Sequence, residues 1–365
     1  MKARGDRVFF ALVLLLAFAG LAIFSSAALG LLARQSSTIT RDILDQISFG
    51  LAGGLAALFL LERLPLSFLK KWAPAFYGAT LLLTALVFIP GVGVHSLGAT
   101  RWINVGFTTV QPAEFLKIGV VLALAWWLAR NARQLKDPRR GLAPFLALTG
   151  LPSILLLLQP NTSTTLLILA TGMAMYFAAG APWRDFGILI GLALLAGGLV
   201  FWAHPYTRAR VMTFLHPSAN SLGSGYQIQQ SLLAVGSGGF LGKGFGQSVE
   251  KFNYLPEPDG DSVFAVFAEE WGFVGAVALV AVFVLLAGRG FAIAGASRDL
   301  FGALIALGFS VMIAVQAFIN ICAMLGIIPL TGLPLPFVSH GGTALLATLA
   351  MCGLILAVAA HRKAA

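Results

Sequence analysis

The chain has 365 residues, 58% of them hydrophobic and only 10% charged, with a net charge of +10. Soluble globular proteins carry about 25% charged residues, so this composition excludes a string of water-soluble domains and leaves one membrane-embedded domain over 1–365. The basic excess does not point to nucleic acid, because its lysines and arginines gather in short loops between apolar runs, as membrane topology requires.

Ten apolar runs, each close to the roughly 20 residues that cross a hydrocarbon core, predict an all-α polytopic fold. They lie at about 8–32, 42–62, 72–90, 112–130, 141–159, 164–180, 185–203, 263–288, 300–325 and 341–361. The first follows Lys2, Arg4 and Arg7 as a signal peptide would. It outruns the usual apolar core of about 7–15 residues, and Ser25-Ser26-Ala27-Ala28 is a poor cleavage site, so it reads as a retained helix. An even number of spans puts both termini on one side. Clusters at Arg63, Lys70 and Lys71, from Arg130 to Arg140, at Arg289 and Arg298, and at Arg362 and Lys363 fall on that side, which makes it cytoplasmic. Cys322 and Cys352 both sit in apolar runs, so no disulfide framework is expected.

Polar content concentrates in the segments expected to face outward. Gly91 to Gln111 contains His95 and Arg101-Trp102. Just beyond it, Glu114 and Lys117 stand three apart at the start of the fourth span and share a helix face, either as a pair that fixes packing or as groups facing a wet cavity. Asn161, after Leu158-Gln159-Pro160, suits the N-cap of the sixth span. A long extracytoplasmic loop, about 204–262, separates the seventh and eighth spans, and within it Tyr226 to Val235 has the spacing of a short interfacial helix. Gly236 to Gly246 (GSGGFLGKGFG) misses the phosphate-loop template at two positions, leaving either a flexible turn or a nest of backbone N–H groups for an anion.

The loop ends on Pro256-Glu257-Pro258-Asp259-Gly260-Asp261-Ser262, where carboxylates return to the membrane at a cost that a substrate-directed role would explain. Glu269-Glu270 lies two turns further on and reads as a partner for a nearby arginine. The last outward segment, Gly326 to His340, is dense in Pro and Gly and predicts rigid irregular backbone at the membrane face. Arg101, Arg208, Arg210, Lys243 and Lys251 all belong to this outer side. Together they suit a phosphate-bearing substrate.

Several of these stretches carry a resemblance to the SEDS family (shape, elongation, division and sporulation), nearest its rod-shape branch. They are Arg101-Trp102-Ile103, Gln111 to Lys117, Leu158 to Asn161, Gly225 to Ile228, Gly242 to Gly246, Leu255 to Asp261 and Thr331 to Gly342. The resemblance implies a peptidoglycan glycosyltransferase of the bacterial inner membrane, active on its periplasmic face. Such an enzyme polymerises lipid II onto a growing glycan strand, beside a class B penicillin-binding protein and other membrane proteins of the elongation complex. The chain departs from the family pattern at Asn161, where Asp is usual, at Asp259-Gly260-Asp261-Ser262, where His-Thr-Asp-Phe is usual, and at His340, where Tyr is usual.

On that resemblance Asp261 is the expected general base, with Asp259 its near competitor. Arg101, Glu114, Lys117, Arg208, Arg210 and Lys243 are the expected substrate-binding residues. No cofactor is evident, though a divalent cation such as Mg²⁺ can share the neutralisation of a diphosphate. The rivals are a flippase for the lipid-linked precursor and a scaffold without activity. A flippase needs polar groups continuing through the bundle, whereas here the ionisable residues gather near its outer third.

Overall fold

The computed structural model describes residues 6–33, 39–96, 99–106, 108–203, 205–216 and 224–361. Lys2, Arg4, Arg362 and Lys363, which supported the cytoplasmic assignment, lie outside the described residues. Each of the ten expected spans is helical. They are α1 (Arg7–Ala33), a composite of α2 (Ile39–Asp45) and α3 (Gly53–Leu61), α4 (Leu66–Ala85), α5 (Pro112–Asn131), α6 (Leu142–Leu158), α7 (Thr162–Ala178), α8 (Trp183–Ala203), α12 (Val263–Gly295), α13 (Leu300–Met324) and α14 (Gly342–Ala360). Eight of these are long and apolar enough to cross a membrane, and α6 and α7 are shorter apolar helices. The protein is a multi-pass membrane protein.

Three boundaries differ informatively from the expected ones. α4 starts at Leu66, after the extended Pro65, and so absorbs Lys70 and Lys71; their long stems can lie along a helix while the ammonium groups reach water. The second span passes through a π-helical stretch, Gln46–Ala52, which buries Gln46, and such wide turns often serve functional sites. α12 runs on to Gly295 but breaks at Gly272, whose φ of 65° and ψ of −166° are not helical.

That break explains the glycine-rich loop. The carbonyls of Glu269 and Glu270, freed from the helix ladder, accept the N–H groups of Lys243 (3.0 Å) and Gly244 (2.9 Å), while Phe273 N–H donates to Gly239 O (2.9 Å). A Cβ on Gly242 would lie 2.2 Å from Glu270 O, so only glycine fits. Gly236 to Gly246 is therefore neither a flexible turn nor an anion nest. Its backbone donors complete a broken helix.

α5 and α14 are buried on almost every face and form the centre with α13, while α8 stands at the edge with few buried residues. At one end of the bundle, the segment after α4 forms a three-stranded antiparallel sheet, β1 (Gly93–Ser96), β2 (Ala99–Asn104) and β3 (Thr109–Val110), with Ile103 facing Gly93 on one side and Val110 on the other. Here the chain cannot continue a helix, and strand pairing satisfies its backbone groups. Helices α9 (Pro205–Leu215), α10 (Ser224–Ser237) and α11 (Glu250–Asn253) cover the same end. The expected interfacial helix over Tyr226 to Val235 is the body of α10.

Candidate active site

The turn that carries Asp261 is fixed through three successive carbonyls. Asp259 O accepts His340 N–H at 2.7 Å. Gly260 O accepts Ser339 Oγ at 2.8 Å, and Asp261 O accepts Asn320 Nδ2 at 3.0 Å. The donors come from the segment before α14 and from α13, so two distant parts of the chain set the place of one carboxylate. Behind them, Gln46 donates to Ser339 O (3.2 Å) and accepts Gly341 N–H (3.0 Å), which is the use of the π-helical stretch.

Opposite this turn stands Gly332, with φ +69°. A methyl group there would lie 3.3 and 3.4 Å from the two terminal nitrogens of Arg210 and 3.4 Å from Asp261 Oδ2. Arg210, on α9, also donates to Leu330 O at 3.1 Å. The third member is Arg101 on β2. Its Nε donates to Gln159 O at 3.0 Å, and it also donates to Pro160 O. Ser163 donates to Thr331 O, tying the α6–α7 turn to the same loop.

Desolvation at the turn raises the Asp261 carboxyl above the ordinary aspartate range, against the pull of Arg210 and then Arg101. A carboxyl so placed sits closer to proton-transfer duty than an exposed one. Glu257 shifts the same way, by desolvation and then by repulsion from Asp261 and Asp259. The site thus offers one base and two guanidinium groups, with Arg210 and Asp261 packed against a glycine that leaves no room for a side chain. Gly332→Ala is expected to slow turnover about 10–100-fold, since small misplacements of reacting groups cost that much, and to lower the melting temperature, because a φ of +69° strains any side chain.

The other expected site residues lie apart from this centre. Lys117 is 1% exposed, with its Nζ 2.7 Å from Glu114 Oε2 and donating to Gln316 Oε1 at 2.9 Å. Lys243 pairs with Glu269 at 2.6 Å, and Lys251, fully buried, pairs with Glu270 at 2.7 Å. The adjacent glutamates therefore take lysine partners, where an arginine was expected. Arg208 is exposed on α9. Asn161 caps α7, accepting Thr164 N–H at 3.3 Å.

Asp259, the competing carboxylate, turns toward His340, whose Nδ1 is 3.8 Å away, and the His340 ring stacks on Phe24. Among the described residues no group of three or more His, Cys, Asp or Glu is arranged to hold a metal ion. Asn320, Gln316 and Gln46 were not among the residues singled out from sequence, although buried amides inside apolar spans are themselves a signal.

The sequence profile of the FtsW/RodA/SpoVE cell cycle proteins matches residues 6–364. The chain is 38% identical over 355 residues to a probable peptidoglycan glycosyltransferase FtsW of Thioalkalivibrio sulfidiphilus, covering 96% of this chain and 88% of that protein. It is 34% identical over 365 residues to the peptidoglycan glycosyltransferase MrdB of Escherichia coli, covering 99% and 96%. Among solved structures, a chain from a peptidoglycan synthase complex that coordinates polymerization and crosslinking superposes with a TM-score of 0.80 at 35% identity, covering 97% of each chain. The rod shape determining protein RodA of Thermus thermophilus superposes at 0.69 with 33% identity, covering 99% of this chain and 98% of that one. With relatives matched end to end and a helical bundle of the same shape, this chain belongs to the FtsW/RodA/SpoVE family, the SEDS proteins.

Proposed function

We propose that the chain polymerises lipid II into glycan strands for cell-wall elongation, with Asp261 as general base. Its relatives are peptidoglycan glycosyltransferases, and this chain is one. The observation that carries the mechanism is the convergence of Asp261 Oδ2 and both terminal nitrogens of Arg210 around Gly332. A sugar hydroxyl reaching the carboxylate gives its proton to Asp261 as its oxygen attacks the anomeric carbon of the donor. The carbon–oxygen bond to the diphosphate breaks, and the departing charge is met by Arg210 and Arg101. Attack opposite the leaving group inverts the anomeric configuration. Arg208, two residues before Arg210 and so on another face of α9, is exposed, and Lys243 has its charge shared by Glu269.

Both described chain ends lie at the end of the bundle away from this site, where the basic loops also gather. That distribution supports cytoplasmic termini and a periplasmic active face in the bacterial inner membrane. Deeper in the bundle, Glu114 and Lys117 are buried and closed by Gln316, which favours an enzyme open to one side over a path through the membrane. Likeness to a chain of a synthase complex supports a cross-linking partner, a class B penicillin-binding protein. The test supplies purified chain, alone and with that partner, with lipid II in detergent. Muramidase-sensitive polymer is expected. Absence of polymer in both cases, with lipid II crossing vesicles that contain the chain, would establish a transporter instead.

A further inference from the structure

One amide on α13 joins the Asp261 turn to the loop that carries Gly332. Asn320 is 1% exposed, and its Nδ2 donates to Asp261 O at 3.0 Å and to Leu333 O at 2.8 Å. Leu333 follows Gly332, so one NH₂ group spans the turn bearing the carboxylate and the backbone beside that glycine, adding to the bonds from Ser339 and His340 further along the same loop. Asp261 and Leu333 belong to loops separated by the whole of α12 and α13.

One helical turn earlier on the same face, Gln316 Nε2 donates to Pro334 O at 2.9 Å, while its Oε1 accepts Lys117 Nζ at 2.9 Å. Lys117 is held in turn by Glu114. The two amides thus clasp consecutive carbonyls, Leu333 and Pro334, and hang that loop on α13. Asn320 Oδ1 itself has no hydrogen-bond partner although it is buried. An uncompensated buried acceptor is destabilising, so the amide is retained for what its two donors hold in place.

We propose that Asn320 is a positioning residue for the Asp261 base, with Gln316 and the Glu114–Lys117 pair as its support; the role rests on the base assignment above. Lys117 acts here through the loop, at a distance from the diphosphate. Holding a base in register affects the chemical step and leaves substrate affinity largely alone. It also holds the carboxyl within reach of Arg210 and Arg101, with Glu257 and Asp259 as like charges in the same turn.

The experiment compares Asn320→Ser and Asn320→Gln with the parent, each with its partner synthase, on purified lipid II across pH. A serine hydroxyl is too short to bridge both carbonyls, and a glutamine carries the same amide one methylene too far. Both variants are expected to lose about 10–100-fold in kcat with KM within about twofold, and their acid limb should move to higher pH as the carboxyl drifts from the guanidinium groups. A purely structural amide predicts otherwise, with Asn320→Gln restoring parental kcat, and that result overturns the proposal. So does a loss carried by KM with the acid limb unmoved. Should Asn320→Ser not fold, Asn320→Gln decides alone. Asp261→Asn, run beside them, separates the two failures. An active Asp261→Asn removes the base and this role with it, whereas an inactive one beside an unimpaired Asn320→Gln removes the positioning role only.

Discussion

Asp261→Asn is expected to lower polymer formation from lipid II by about 10²–10⁴-fold, the usual worth of a positioned general base, while Asp259→Asn keeps most of the parental rate. The amide replaces the carboxylate at nearly the same size, and the backbone ties that fix this turn run to carbonyls, so the fold should be unchanged. Asp259 differs because its side chain has His340 beside it at 3.8 Å, whereas Asp261 Oδ2 is the carboxylate oxygen packed with Arg210 at Gly332.

The pH profile supplies an independent arm. The base works only when deprotonated, so activity falls as pH drops through its pKa. Desolvation has raised that value, and the fall must therefore begin at higher pH than the about 3.9 of an ordinary aspartate would give. Arg210 opposes the rise, so Arg210→Gln should shift the acid limb upward again in addition to lowering the rate. Full activity in Asp261→Asn, or an Arg210→Gln profile whose acid limb moves down, rejects the assignment.

The second large effect is on stability. Lys251→Ala is expected to destabilise the protein by about 3–5 kcal/mol, because it strands a charge in the interior. Lys251 is fully buried, with its Nζ 2.7 Å from Glu270 Oε1 and 3.1 Å from Ser26 Oγ, and Ser26 also donates to Glu270 Oε1 at 2.7 Å. Lys251 thereby joins α11 to α12 and to α1. The contact is close, since a Cβ on Gly30 would lie 2.3 Å from Lys251 O. Replacing both charges by apolar groups of similar volume, Lys251→Met with Glu270→Leu, should recover most of the loss, because neither partner is then left uncompensated. Melting temperatures in detergent for the two single variants and the double one form the cycle. A double variant as unstable as the sum of the singles would show that the pair is not the source.

Much of this protein was legible before folding. Apolar length along the chain located a helix at each of the ten runs, eight of them long enough to span, because crossing a hydrocarbon core demands a run of about 20 apolar residues whatever the neighbours are. The carboxylate turn from Pro256 to Ser262 announced itself in the same way, as charge kept where the membrane makes it expensive. Asn161 as a cap and Tyr226 to Val235 as a helix followed from local rules, and the structure has both.

Which of the outer cations share the carboxylate's neighbourhood was not written along the chain. Arg210, Lys243 and Lys251 look alike in sequence, yet one faces Asp261 while the others are taken by Glu269 and Glu270. The choice depends on where α12 breaks and which loop fills the break, a contact between segments that no local pattern records. The same holds for Asn320 and Gln316, which read as isolated amides in an apolar run until α13 is packed against the loop from Thr331 to His340. Local sequence decides which segments enter the membrane, since the bilayer acts on each separately. Tertiary packing decides which polar groups meet, because desolvated groups must find partners wherever the bundle brings them.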